Sequence, residues 1–174
     1  VSISHDGERI ISGSLDNTVN VWHANSRDCV DTTLGHNEYV VSVAFNHDGT
    51  RILSGSDDKN VKVWDAGTGE CVTTLSGHSS EELLVAFSND DTHILSGSFQ
   101  NTVKVWDSNT GECVTTSSCQ SNEEMSLVAL SNDGTHTVFD CADKTAKVWN
   151  VGARECVTTL AGHGSCIMSG AFSL

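Results

Sequence analysis

The side chains able to do chemistry in this 174-residue chain are its histidines, its cysteines and a few paired carboxylates. Eight histidines, His5, His23, His36, His47, His78, His93, His136 and His163, could hold a metal or carry a proton. None has metal-ligand spacing, such as two imidazoles four residues apart on a helix. Asp57-Asp58 and Asp90-Asp91 could suggest calcium, but neither has the alternating oxygen ligands of a loop site, and turn chemistry accounts for them. Glu81-Glu82 and Glu123-Glu124 read as a solvated acidic rim. Phosphate loops, nucleophile elbows and dinucleotide fingerprints are absent from the sequence. No metal and no cofactor is expected.

The seven cysteines, Cys29, Cys71, Cys113, Cys119, Cys141, Cys156 and Cys166, contain no C-x-x-C pair. Four of them, Cys29, Cys71, Cys113 and Cys156, each follow a tryptophan by seven residues. The tryptophans, Trp22, Trp64, Trp106 and Trp149, recur at intervals of 42, 42 and 43 residues. Aligning 51–78 with 93–120 gives 18 identities in 28 positions. Self-similarity at this period marks a repeat array, in which each unit buries its apolar face against the next. The repeat cysteines, one unit apart, lie beyond disulfide reach and read as small buried or half-buried residues.

The elements that position these residues follow from turn chemistry and alternation. In the second unit Tyr39–Phe45 reads as a strand closed by Asn46-His47-Asp48-Gly49, because Asp-Gly tolerates positive φ. Arg51–Ser56 is a second strand, Val61 to Trp64 a half-buried third, and Cys71–Leu75 an alternating fourth. Four strands in about 42 residues make one antiparallel sheet.

Gly35-His36 with Trp64-Asp65, and Gly77-His78 with Trp106-Asp107, resemble the Gly-His and Trp-Asp marks of WD40 repeats. The resemblance covers the whole chain and implies an all-β fold of four β-propeller blades, approximately 1–34, 35–76, 77–117 and 118–161, within a single 1–174 domain. Ser-Gly-Ser-Asp-Asp-Lys-Asn-Val-Lys-Val-Trp-Asp is also similar to the arrays of fungal NACHT-WD40 receptor-like proteins. The resemblance implies a structural hydrogen-bond network of His36, Ser54, Asp58 and Trp64, with Ser56 as the alternative hydroxyl. Blade one supplies Ser12, Asp16 and Trp22; blade three His78, Ser96 and Trp106, with Gln100 in place of the carboxylate; blade four Asp143 and Trp149, with Phe139 in place of the serine and Cys119-Gln120 in place of Gly-His. A Ser-His-Asp set invites a hydrolase reading, but its repetition and its tryptophan partner point to burial, and the chain is read as not an enzyme.

Nine Lys and Arg against 23 Asp and Glu give a net charge of −14, which argues against nucleic acid or an anionic membrane as partner. Apolar runs fall far short of a membrane helix. Odd cysteines, no N-x-S/T sequon and no signal segment favour a reducing, cytoplasmic setting. The chain begins at Val1 without methionine and reads as a piece of a longer protein or as a processed chain. Four blades leave a propeller ring open, and residues 162–174 resemble the first strand of a further blade. Two readings stand: a homodimer in which His163 and this strand complete blade one of a second copy, giving an eight-bladed ring, or a fragment of a longer array.

The function these features imply is a protein–protein interaction scaffold, the sensing or assembly region of a larger receptor-like protein. Its candidate contact residues precede each first strand: Asn37, Glu38, Tyr39, Ser79, Ser80, Glu81, Ser121, Asn122 and Glu123. A lectin-like small-ligand propeller is the alternative, ranked lower because Glu81 and Glu123 replace the aromatic Tyr39.

Overall fold

A computed structural model describes the chain except residues 27, 82, 100, 101, 119–127, 132, 142, 154, 166, 168, 169 and 171–174. The described residues form four antiparallel sheets, each with its four strands in chain order. Sheet one holds β1 (Ser2–Ile3), β2 (Arg9–Gly13), β3 (Val19–His23) and β4 (Cys29–Thr33). Sheet two holds β5 (Val40–Phe45), β6 (Arg51–Ser56), β7 (Asn60–Asp65) and β8 (Cys71–Ser76). Sheet three holds β9 (Leu84–Phe87), β10 (His93–Ser98), β11 (Thr102–Asp107) and β12 (Cys113–Ser118). Sheet four holds β13 (Val128–Leu130), β14 (His136–Cys141), β15 (Thr145–Asn150) and β16 (Glu155–Leu160). This is a β-propeller arrangement of blades, and no described helix is long and apolar enough to cross a membrane.

Short polar side chains fix the hairpins. Between β5 and β6 the Asp48 carboxylate accepts from the Thr50 N–H at 2.8 Å, and Gly49 takes φ +71°. Sheet three has Asp91 at that position with φ +58°, a strained conformation for a residue with a Cβ. The Asp91 carboxylate offsets the strain by accepting from His47 N–H at 2.9 Å and Asn46 Nδ2 at 3.1 Å in the neighbouring sheet.

Three seams between sheets hold the core. Ile11, Val19 and Val21 of sheet one pack on Val40, Val43, Ile52 and Trp64 of sheet two. Leu53, Val61, Val63 and Leu75 of sheet two pack on Leu83, Val85, Ile94 and Trp106 at sheet three. Leu95, Val103 and Val105 of sheet three pack on Phe139 and Val151 of sheet four. Arginines clamp two seams at the rim: Arg9 donates to Gly49 O at 2.7 Å, and Arg51 to Ser108 O at 3.1 Å.

Two expectations need correction. The repeat cysteines Cys29, Cys71, Cys113 and Cys156 are exposed, where burial or half-burial was expected. The cause is a register shift in every third-to-fourth strand pair, between Val63 and Trp64 in sheet two, which places Trp64 opposite Cys71 and Val63 opposite Thr73. The extra residue, Val72, breaks the alternation that would have carried Cys71 to the face of Leu75. The first strand of sheet two begins at Val40 and not Tyr39, with Val41 as an extra residue between the Val40–Ser56 and Ser42–Gly55 pairs. Cys119 and Cys166 lie outside the described residues.

Candidate functional site

Sheet two assembles a complete Ser-His-Asp set. His36, in the connection before β5, reaches Ser54 Oγ on β6 through Nε2 at 2.7 Å and Asp58 Oδ2 in the β6–β7 turn through Nδ1 at 2.8 Å. Trp64 Nε1 donates to Ser54 Oγ at 2.8 Å. Ser54 therefore uses its lone pair for the indole and its hydrogen for the imidazole, and His36 is the neutral tautomer protonated at Nδ1. Burial is the largest influence on His36 and lowers its pKa, against the opposing pull of Asp58. Burial raises the Asp58 carboxyl, but hydrogen bonds from His36 and the Asn37 N–H hold it below its ordinary value. Ser56 donates instead to Glu38 O at 3.0 Å, leaving Ser54 as the hydroxyl in contact with His36.

These groups have a triad's connectivity without its exposure. The His36 and Asp58 side chains are 1% and 6% exposed, and Ser54 is buried under the tryptophan. A nucleophile must meet an acyl carbon beside free oxyanion donors, and this hydroxyl meets an indole. The arrangement ties the connection before β5 to the turn after β6.

The other blades keep fragments of it. In sheet three His78 Nε2 lies 2.6 Å from Ser96 Oγ, which accepts from Trp106 Nε1 at 2.8 Å. His78 Nδ1 is buried with no hydrogen-bond partner among the described residues, and Gln100 lies outside them. In sheet one Trp22 donates to Ser12 at 2.9 Å. Asp16 does not join that pair; it is exposed and caps its own turn, accepting from Thr18 N–H at 3.1 Å and Thr18 Oγ1 at 2.6 Å. Asp143 is likewise a turn cap for Thr145 beside Lys147, and Trp149 Nε1 is buried without an acceptor among the described residues, because Phe139 stacks where a serine would stand. His163 is exposed on the single chain, and Cys119-Gln120 lie outside the described residues. Among the described residues no three His, Cys, Asp or Glu side chains could hold a metal ion.

The connections before the first strands share one face with the β2–β3 and β6–β7 turns. Val40 N–H donates to Ser14 O at 3.0 Å across the first seam, and Asp57 N–H to Tyr39 O at 3.0 Å. Asn37, Glu38, Tyr39, Ser79 and Glu81 are exposed there. Ser80 is buried, which removes it from the candidate contact set, and Ser121, Asn122 and Glu123 lie outside the described residues. Residue-by-residue reasoning on the connections missed Leu15 and Val41, both large exposed apolar side chains on this face. Leu15 is legible on realignment, since Asp57 stands at its place in the next repeat. On the opposite face an open cleft of about 270 Å³ is lined by Asn46, Asp48, Arg51, Asp90 and Asp91 among others, with no aromatic stacking platform beyond Phe87.

The family model described as the IFT122 first β-propeller matches residues 1–174. No curated protein matches the chain.

Proposed function

The chain belongs to the family of the IFT122 first β-propeller, and on that premise we propose that it is a non-catalytic docking platform whose loop face holds a partner protein. The observation that carries this reading is the juxtaposition of Leu15 and Tyr39. Each is exposed, and each is one residue from the Ser14–Val40 hydrogen bond that stitches sheets one and two. Two large side chains anchored to one rigid seam offer contact area at little ordering cost, the usual character of an interface centre. Asp16 and Glu38, the exposed sequence neighbours of Leu15 and Tyr39, flank the pair, so the partner is a segment with an apolar anchor beside Lys or Arg. The repeat wording further supports a place in the sensing or assembly region of a larger receptor-like protein. The unpaired repeat thiols fit a reducing, cytoplasmic setting.

The test has two arms. The double variant Leu15→Ser, Tyr39→Ala loses at least about tenfold in affinity for any partner recovered with the wild type, since truncating an interface anchor costs about 1–2 kcal/mol. Equal binding by both forms would move the interface elsewhere. A serine-directed fluorophosphonate leaves Ser54 unlabelled; stoichiometric labelling would reopen the hydrolase reading.

A further inference from the structure

His5 and His47 lie 42 residues apart, one full repeat, so ligand spacing in the sequence conceals them as a pair. The fold brings them together. Each follows a polar residue that fixes its hairpin turn: Ser4 Oγ accepts from Arg9 N–H at 2.9 Å, and Asn46 Oδ1 accepts from Arg51 N–H at 2.8 Å. Equivalent turns of sheets one and two meet across the first seam, where the two imidazole centroids are 4.6 Å apart with their planes inclined by 43°. The His47 backbone is pinned from the other side, because its N–H donates to Asp91 Oδ1 at 2.9 Å. Both histidines are exposed.

The separation of the rings has a meaning in coordination chemistry. With metal–nitrogen bonds of about 2.0–2.1 Å, each centroid stands about 3.2 Å from a bound ion, so cis ligands at about 90° place the centroids about 4.5 Å apart and tetrahedral ligands about 5.2 Å. The observed 4.6 Å matches the cis arrangement of tetragonal Ni(II) and Cu(II) more closely than the tetrahedral one of Zn(II). Three carboxylates surround the pair: Asp6 and Asp48 follow the two histidines, and Asp91 holds the His47 backbone. Hydrogen bonds from Ser4 and Thr50 keep Asp6 and Asp48 below the ordinary carboxylate range. Arg9 and Arg51 oppose this charge, but their guanidiniums are turned to the carbonyls of Gly49 and Ser108. Beside the rings opens a cleft of about 210 Å³, lined by Ser88 and Asn89 among others, with room for coordinated water.

From this juxtaposition we infer that His5 and His47 form a two-imidazole site for a divalent transition cation, Ni(II) or Cu(II) in preference to Zn(II), with water filling the remaining positions. An ion held there ties the β1–β2 hairpin to the β5–β6 hairpin and tightens the first seam, because a ligand bound only by the folded array stabilises it. The third and fourth repeats carry Asn89 and Asn132 at this position, so a histidine is no requirement of the hairpin. The site lies on the face opposite Leu15 and Tyr39, and its fate is separate from that of the docking reading.

Calorimetric titration of NiCl2 into the full chain tests the site, with the thiols alkylated because the exposed repeat cysteines also bind such ions. One nickel per chain is expected. His5→Asn and His47→Asn install the residue of the third repeat, so both variants fold, with unchanged circular dichroism. Each weakens nickel binding at least about tenfold, since the chelate loses its second, intramolecular contact. His23→Asn, a change of an exposed histidine outside the pair, leaves the affinity as it was. Nickel also raises the urea midpoint of the wild type, and raises it in neither variant of the pair. Equal nickel affinity in the wild type and His47→Asn would overturn the site, as would an equal loss in His23→Asn or no binding at millimolar nickel.

Discussion

Neutrality of the buried imidazoles decides how this protein responds to acid. His78 sits beside Lys104 in a buried site, and burial first, then that charge, depresses its pKa from 6.5 to about 4. A depressed histidine binds its proton in the unfolded chain before the folded one. Stability is therefore complete above about pH 6.5 and falls between there and about pH 4, by at most about 3 kcal/mol. His36 shifts in the same direction, and Asp58 opposes the shift. Gln100→Asp puts a carboxylate at the repeat position of Asp58 and gives the His78 Nδ1–H an acceptor. The expected result is a smaller drop in urea midpoint between neutral pH and about pH 4.5 than the wild type shows. An identical drop in both proteins would mean that His78 titrates without reference to position 100.

At the scale of the strand, the orphaned Trp149 N–H poses a choice between two effects of opposite sign. Phe139→Ser would restore the acceptor that Ser54 and Ser96 provide elsewhere, a gain of about 1 kcal/mol. It would also empty a fully buried phenyl site packed in the third seam, a loss of about 3–5 kcal/mol. Packing wins, and the variant is expected to be less stable in thermal unfolding; a stabilised variant would show that the hydrogen bond outweighs the ring. Strand existence was legible for physical reasons, since Asp-Gly turns and Val-x-Val-Trp alternation specify hairpins locally. The face of the fourth strand was not. Cys71-Val72-Thr73 alternates like any strand, and the extra residue that turns Cys71 outward is set by pairing with Val63 and Trp64, which no local pattern records. The Ser54–His36 contact was legible only through resemblance, because 18 residues separate the partners in sequence. Ser80 misled because polarity in a connection usually means exposure.

Across the whole array, stability is a sum of sheet and seam contributions, because each sheet meets only its neighbours. The second seam joins four aliphatic side chains of sheet two to Leu83, Val85, Ile94 and Trp106. Among the described residues sheet four brings fewer: Phe139 and Val151 are buried in its seam, Trp149 and Leu130 only pack at its margin, and β16 is exposed along its length. Two buried polar atoms there, Thr137 Oγ1 and Trp149 Nε1, lack partners among the described residues, and each such group costs about 1–3 kcal/mol. Local opening should therefore begin at sheet four, while β6 and β7, covered on both sides, open last. Native-state amide exchange read by mass spectrometry checks the order: peptides from β14 and β15 are expected to take up deuterium well before those from β6 and β7. Protection in β14 and β15 equal to that in β6 and β7 would mean that the seams share stability evenly, and that the missing serine and its unanswered indole cost the molecule nothing.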